Sequence, residues 1–133
     1  MNVLVDTSVW SLALRRAKRI DDAVPRELAE LIDEGRVVMI GPVRQELLSG
    51  IKHRPQYDQL RAHLRAFPDL ALESVDYEDA AIAFNTCRER GIQGSNTDFL
   101  LCAVAIRHKL SVFTVDGDFK HFARVLKLQL HQR

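Results

Sequence analysis

Cysteine is scarce in this chain of 133 residues, where Cys87 and Cys102 are the only two. Their spacing fits no zinc-binding or thiol–disulfide exchange motif, which argues against both classes of site. Both lie among apolar residues, so we predict that they are small, buried core residues with reduced thiols. Reduced thiols are typical of the cytoplasm, and we therefore predict a cytoplasmic protein.

Long apolar runs and an excess of charge are missing as well. No run approaches the ~20 residues of a membrane span, and no export signal precedes the first predicted strand, so we expect no membrane partner. The formal net charge is only +1 and the sequence pI is about 7.9. Proteins that hold nucleic acid mainly by electrostatics usually have a pI above ~9. These values count against a tight, non-specific nucleic-acid binder but allow a local basic patch.

Several motifs of common enzyme classes are also absent. The chain has no phosphate-binding P-loop, no GxGxxG after its first predicted strand and no Ser elbow, which argues against the nucleotide-binding and serine-hydrolase classes that use them. It shows no internal repeat, linker or low-complexity segment. We therefore predict a single domain over residues 1–133.

The chain does contain an alternation of short apolar strands and amphipathic helices. Predicted strands cover Val3–Val5 and residues 37–40, 70–72, 111–115 and 127–130, and apolar residues at helical spacing fill the intervals. Such alternation is typical of a parallel sheet between two layers of helices. We predict a three-layer α/β/α fold with a central parallel sheet of four to five strands.

An aspartate follows each of two predicted strands. Asp6 comes directly after the first strand, and either Thr7 or Ser8 is predicted to cap the next helix. Asp116 ends a later strand, and Asp118 is either a further member of the group or the cap of the last helix. In a parallel sheet the carboxyl ends of the strands lie at one edge, where ligands bind. These acids are therefore candidates for one shared site.

Two further acids lie on predicted helices. Glu46 falls on a helical stripe with Val43 that we predict to face the core, where an unpaired carboxylate is costly. Asp98 lies in the first turn of a buried helix, whose predicted cap is Asn96 or Thr97. Attraction to a helix N-terminus, worth ~0.3–1 kcal/mol, is the alternative explanation for both acids and needs no functional role.

Carboxylates that converge need a further partner. Charges about 4 Å apart repel by ~4 kcal/mol per pair at an effective dielectric of 20. A cluster persists if some carboxyls stay protonated or if a cation lies among them. Oxygen ligands favour Mg²⁺ or Mn²⁺ over zinc, and such ions activate water for phosphodiester hydrolysis. The pattern therefore predicts a metal-assisted hydrolase.

Four segments together resemble the motifs of PIN-domain ribonucleases of the VapC type, the toxins of bacterial and archaeal toxin–antitoxin pairs. The segments are residues 3–10, 42–47, 96–101 and 114–119. They occur in the family's order and with its spacing, and the resemblance covers essentially the whole chain. No single segment is specific, but the four together are.

The resemblance implies a catalytic site in which acids hold Mg²⁺ or Mn²⁺, directly or through water, and nearby hydroxyls support them. Members of the family vary at the fourth acid, so two residues compete for that position here. The acids are Asp6, Glu46, Asp98 and Asp116, with Asp118 as the alternative to Asp116 and as a further metal ligand, and the hydroxyls are those of Thr7, Ser8 and Thr114.

The resemblance also implies three partners: an RNA substrate, a second copy of the chain in a homodimer, and a cognate antitoxin that inserts a segment near the acids. Basic residues are where we expect contacts with RNA or antitoxin. For residues 15–19, a solvated helix end that complements the helix dipole is an equal alternative. The expected contacts are Arg15, Arg16, Arg19, Arg44, Lys52 and Arg54.

The leading hypothesis is a Mg²⁺/Mn²⁺-dependent endoribonuclease, the toxin of a type II toxin–antitoxin pair, that cuts structured RNA such as tRNA with metal-activated water. The first alternative is a catalytically silent protein- or RNA-binding module of the same fold. A structure-specific DNA nuclease ranks lower, because a chain of 133 residues leaves little room for the arches or clamps of such enzymes.

Overall fold

A computed structural model describes residues 1–14 and 22–132 of the chain. Within those residues, the chain forms seven helices and three strands, and four of the helices follow one another between the second and third strands. In chain order they are β1 (Val3–Val5), α1 (Thr7–Leu14), α2 (Ala23–Asp33), β2 (Val37–Val38), α3 (Gly41–Leu48), α4 (Arg54–Leu64), α5 (Ser74–Glu89), α6 (Asn96–Arg107), β3 (Ser111–Phe113) and α7 (Asp118–Leu126).

The strands form one parallel sheet in the order β2-β1-β3, so the first strand of the chain is the central one. Val3 is paired with Val37 on one side and with Ser111 on the other. A parallel arrangement puts the carboxyl ends of all three strands at one edge. The residues that follow β1 and β3 are therefore brought side by side.

The predicted four to five strands are wrong for the described residues, which form three. The two other predicted strand segments touch the sheet only through single bridges, between Met39 and Asp69 and between Val112 and Leu130. Each segment adds backbone hydrogen bonds, such as that from Leu70 N to Met39 O at 2.8 Å. A single bridge does not form a β-ladder. Each segment diverges from the sheet after one pair of bridged residues.

Both faces of the sheet are covered. All three residues of β1 are 0% exposed, and those of β3 are also buried. Because successive side chains of a strand point to opposite faces, such burial requires packing on both sides. The helices contact each other in two groups, α1 with α2 and α3, and α5 with α6 and α7. This arrangement agrees with the predicted α/β fold.

Helix α6 is the most deeply buried helix, with residues 99–105 all buried. This burial confirms the prediction that Asp98 lies in the first turn of a buried helix. The predicted burial of Cys87 and Cys102 is also confirmed, and burial raises the pKa of both thiols. None of the described helices combines the length and apolar character of a membrane span.

A buried ion cluster joins the start of α5 to the end of α6. Asp76 is 0% exposed, and its Oδ2 accepts hydrogen bonds from Glu73 N at 2.8 Å and from Arg107 Nη1 at 3.0 Å. Its Oδ1 lies 3.3 Å from His108 Nε2. Burial opposes ionisation of Asp76, but these bonds and charges outweigh it and hold its pKa below the ordinary value.

We expect Arg107→Ala to lower the free energy of unfolding by about 2–3 kcal/mol at pH 7, because it leaves a buried carboxylate without its main counter-charge. The stabilisation that Asp76 provides exists above its ordinary pKa of 3.8 and is lost as the pH falls through the folded-state value. Urea unfolding from pH 7 to pH 3 should therefore show the two proteins converging in acid.

The matched control is Arg54→Ala, which removes the same side chain from an exposed ion pair with Asp58. Such pairs contribute about 0–1 kcal/mol. Equal losses for the two variants at pH 7, or a difference that does not depend on pH, would contradict a structural role for the buried cluster.

Candidate active site

Four acids from distant parts of the chain line one pocket at the carboxyl edge of the sheet. They come from the ends of β1 and β3 and from helices α3 and α6, and the pocket has a volume of about 620 Å³. Every other lining residue is uncharged. The lining consists of Asp6, Thr7, Ser8, Pro42, Gln45, Glu46, Ser49, Thr97, Asp98 and Asp116.

Asp6 is the most firmly held of these acids. Its backbone N–H donates to Phe113 O at 2.9 Å, which fixes it beside β3. Its Oδ2 accepts hydrogen bonds from Ser8 Oγ at 2.7 Å and from Thr114 Oγ1 at 2.8 Å. Asp6 is only 5% exposed, and the two hydroxyl donors hold its carboxylate in one orientation.

The same two hydroxyls tie the loop after β3 to the start of α1. Thr114 Oγ1 accepts from Asp116 N at 3.0 Å, and Ser8 Oγ accepts from Val115 N at 3.2 Å. Thr7 and Ser8 were predicted as helix caps, but in the structure their hydroxyls bond to Glu46 and Asp6. The supporting role that the resemblance implied for these hydroxyls thus has a geometry to match it.

Glu46 projects from α3 into the pocket. The prediction that it lies on the core-facing stripe is wrong, since Val43 and Leu47 are buried but Glu46 is exposed. Adjacent helical residues differ in direction by about 100°, so Glu46 lies beside the apolar stripe, not on it. Thr7 Oγ1 donates to Glu46 Oε1 at 2.7 Å and orients the carboxylate from α1.

Asp98 lies in the first turn of α6, where a capping box holds it. Ser95 Oγ accepts from Asp98 N, and Asp98 Oδ2 accepts from Ser95 N, both at 3.1 Å. The cap is therefore Ser95 and not the predicted Asn96 or Thr97, because only Ser95 has the extended backbone that a cap requires (φ −81°, ψ 162°).

The pKa of Asp98 is raised. Burial is the largest cause, and the negative charges of Asp6 and Asp116 add to it, while the two bonds with Ser95 act in the opposite direction. Repulsion from Asp6 and Asp116 therefore contributes to the raised pKa of Asp98, but less than burial does.

The fourth acid of the pocket is Asp116. It lines the pocket, whereas Asp118 is the exposed first residue of α7 and does not. Asp118 instead donates its backbone N–H to Asp116 Oδ1 at 2.9 Å. The geometry therefore favours Asp116 over Asp118.

Each of the four acids uses one oxygen within the fold. Within residues 1–14 and 22–132, no hydrogen bond reaches the second oxygen of any of them. This oxygen-only donor set fits a hard cation such as Mg²⁺ or Mn²⁺. No three His, Cys, Asp or Glu side chains of the described chain form a ready-made ligand group. An open set of this kind suits an ion that keeps several waters.

The predicted basic contacts differ in availability. Arg44 uses all three guanidinium nitrogens within the fold, bonding Asp69, Leu64 O and Phe67 O. Arg54 pairs with Asp58 but remains largely exposed, with 75% of its side chain accessible. Lys52 is exposed, and Arg15, Arg16 and Arg19 lie outside the described residues.

Sequence reasoning missed three polar residues of the pocket. Gln45 precedes Glu46 on α3, Ser49 directly follows the end of that helix, and Thr97 precedes Asp98. Ser49 Oγ donates to Gln45 O at 2.7 Å. The available signal was proximity: each lies within three residues of a predicted acid, on the same helix or directly after it.

The chain is similar to known proteins of one family. The family model described as "PIN domain" matches residues 3–125. The chain is 30% identical over 129 residues to "VapC ribonuclease Mb1587" of Mycobacterium bovis, which covers 96% of both chains. It is similar to the same extent to "Ribonuclease VapC11" of Mycobacterium tuberculosis.

Solved structures share the fold at lower identity. FitAcB from Neisseria gonorrhoeae superposes with a TM-score of 0.77 and 22% identity, over 98% of this chain and 96% of that chain. VapBC2 from Rickettsia felis, bound to a DNA fragment from their promoter, gives a TM-score of 0.78 and 20% identity over 98% of each chain. Together, the family match, the sequence relatives and the shared fold show that the chain belongs to the PIN-domain family.

Proposed function

We propose that this protein is a metal-dependent endoribonuclease and the toxin of a toxin–antitoxin pair. The observation that carries the proposal is the acid pocket, in which four carboxylates converge and each keeps one oxygen free of bonds within the described chain. RNA as the substrate is supported by relatives that are named VapC ribonucleases. An antitoxin partner is supported by structural neighbours named VapBC complexes.

The residues that would hold Mg²⁺ or Mn²⁺ are Asp6, Glu46, Asp98 and Asp116. When bound, such an ion supplies a water of lowered pKa and neutralises charge on a phosphoryl oxygen. The chain itself orients the ligands. Its hydroxyls fix one oxygen of Asp6 and of Glu46, and backbone amides fix one oxygen of Asp98 and of Asp116.

Contacts of basic residues with RNA or antitoxin are also proposals. We retain Lys52 and Arg54 as contacts for RNA phosphates or for antitoxin, since both side chains are exposed. We do not retain Arg44, because each of its three guanidinium nitrogens already donates a hydrogen bond within the fold. A homodimer, a cytoplasmic location and tRNA as target also stay predictions.

We expect Asp6→Asn and Asp98→Asn to lower RNA cleavage roughly a thousandfold, because several kcal/mol of transition-state stabilisation depend on the charged ligands. The measurement is cleavage of a labelled RNA with added Mg²⁺ or Mn²⁺. Asp118→Asn is the matched control: it makes the same change two residues from Asp116, outside the pocket, and should cut nearly as well as the wild type.

A clear result requires folded variants, which circular dichroism verifies. Full activity of Asp6→Asn or Asp98→Asn would remove the proposed site. Loss of activity in Asp118→Asn with retention in Asp116→Asn would reverse the assignment of the fourth acid.

Thr7 gives a finer test of how the ligands are oriented. Thr7→Val keeps the shape of the side chain but removes the hydroxyl that holds Glu46, so we expect a 10- to 100-fold loss of metal affinity and activity. Thr7→Ser keeps the hydroxyl and should restore most of both. Metal titration by calorimetry separates these outcomes, and equal affinity in the two variants would show that the bond is incidental.

Repulsion within the pocket predicts a metal-dependent stability change. The pKa of Asp98 is raised in the folded protein, so ionising it costs stability as the pH rises above its ordinary value. Without divalent ions, Asp98→Asn should melt at or above the wild-type temperature at pH 7, and the difference should vanish below about pH 4. Asn still accepts the Ser95 hydrogen bond, so the helix cap is preserved.

With Mg²⁺ the order should change, because an ion that binds only the folded state raises its stability. The wild type and Asp118→Asn should gain several degrees in melting temperature, and Asp98→Asn should gain less. Equal gains in all three proteins, measured by differential scanning calorimetry, would speak against these acids as the ligands.

A further inference from the structure

A second cleft, of about 440 Å³, opens between α5 and the start of α6 and adjoins the acid pocket. Pro42 and Thr97 line both, so the two form one continuous surface. We refer to it as the side cleft. Besides those two residues, its lining is Tyr77, Ala80, Ala81, Phe84, Asn85, Asn96 and Leu100.

The chemistry of the side cleft differs from that of the acid pocket. None of its lining residues is charged, so it offers no counter-charge to a phosphate and no repulsion to a neutral group. Asn85 and Asn96 are exposed and carry amides that both donate and accept hydrogen bonds. The exposed ring of Tyr77 and the half-buried ring of Phe84 provide flat apolar surfaces.

Aromatic faces next to paired donors and acceptors match one class of ligand. Nucleobases of single-stranded RNA stack on aromatic side chains and are read by hydrogen bonds along their edges. The volume of the side cleft lies within the usual range for small-molecule sites, roughly 300–1,000 Å³.

An exposed cation lies beside Phe84, a residue of the cleft lining. The guanidinium of Arg88 stacks over the ring of Phe84, 5.3 Å from its centroid. Arg88 is exposed and forms no ion pair with any residue of the described chain. An arginine in this position can contact the next phosphate of the strand.

We propose that the side cleft binds a nucleobase of single-stranded RNA beside the phosphodiester bond that the acid pocket cuts, and that it thereby sets the sequence preference of cleavage. The inference rests on the proposed ribonuclease function. The observation behind the proposal is that the acid pocket and the side cleft form one continuous surface. With a phosphate among the acids, the neighbouring nucleotide lies within reach of Thr97 and the side cleft.

The test uses Asn85→Ala and Tyr77→Ala in the full chain. Each active variant cuts a randomised single-stranded RNA pool, and sequencing of the products gives the base preference at each position around the cut. We expect a preference at one neighbouring position in the wild type that flattens in both variants. At saturating RNA, the cleavage rate should change little, while KM rises about tenfold.

Binding is measured separately in the Asp98→Asn background, which should hold RNA without cutting it. Fluorescence anisotropy with a labelled oligonucleotide of the preferred sequence should show about tenfold weaker binding when Asn85→Ala or Tyr77→Ala is added. Asn2→Ala and Ile82→Ala are the controls. Asn2 is exposed and distant in sequence from the residues of the cleft. Ile82 is a 63% exposed residue of α5 that does not line the cleft.

Three results would overturn the inference. One is unchanged base preference and affinity in both cleft variants. Another is a wild type that cuts all sequences equally. The third is a change in oligomeric mass, measured by light scattering, in variants that keep their base preference. That result would show that the cleft is a contact between protein chains. In each case, inactivity of Asp6→Asn would still support the proposed function, so the two failures are distinguishable.

Discussion

Repulsion between carboxylates is the constraint on which this site depends. Burial is the largest cause of the raised pKa of Asp98, and the negative charges of Asp6 and Asp116 add to it. The acids stay close together because the fold fixes the backbone positions from which they project. Asp6 follows a strand that is fully buried and paired on both sides, so the position of its backbone is fixed by the centre of the sheet.

Hydrogen bonding turns this crowding into an ordered arrangement. One oxygen of each acid is bonded within the fold, and the bonds cross between elements: Thr7 links α1 to α3, and Thr114 links β3 to Asp6. A bonded oxygen fixes the direction of the carboxylate, which leaves the other oxygen directed to solvent or to a ligand. This arrangement supports the proposed cation site, because a cation would relieve repulsion between the carboxylates.

The sequence predicted the components of this site better than their orientation. Placement at strand ends identified Asp6 and Asp116, because a parallel sheet brings those ends together regardless of detail. The direction of Glu46 depends on helix phase and on Thr7, which no local pattern reveals. The outer strands were over-predicted for a similar reason. Apolar alternation at residues 70–72 and 127–130 shows that a segment can pair, but tertiary contacts decide how long it stays in the sheet.

The first turn of α6 explains how chemistry and sequence preference can be coupled. Asn96, Thr97 and Asp98 are consecutive, and helical residues rotate by about 100° each, so one turn presents an amide to the side cleft and a carboxylate to the acid pocket, with Thr97 between them. The helix behind them is buried along residues 99–105. A base placed against Asn96 is thereby held at a fixed distance from Asp98. A rigid helix, and not a moving loop, then sets which bond lies among the acids.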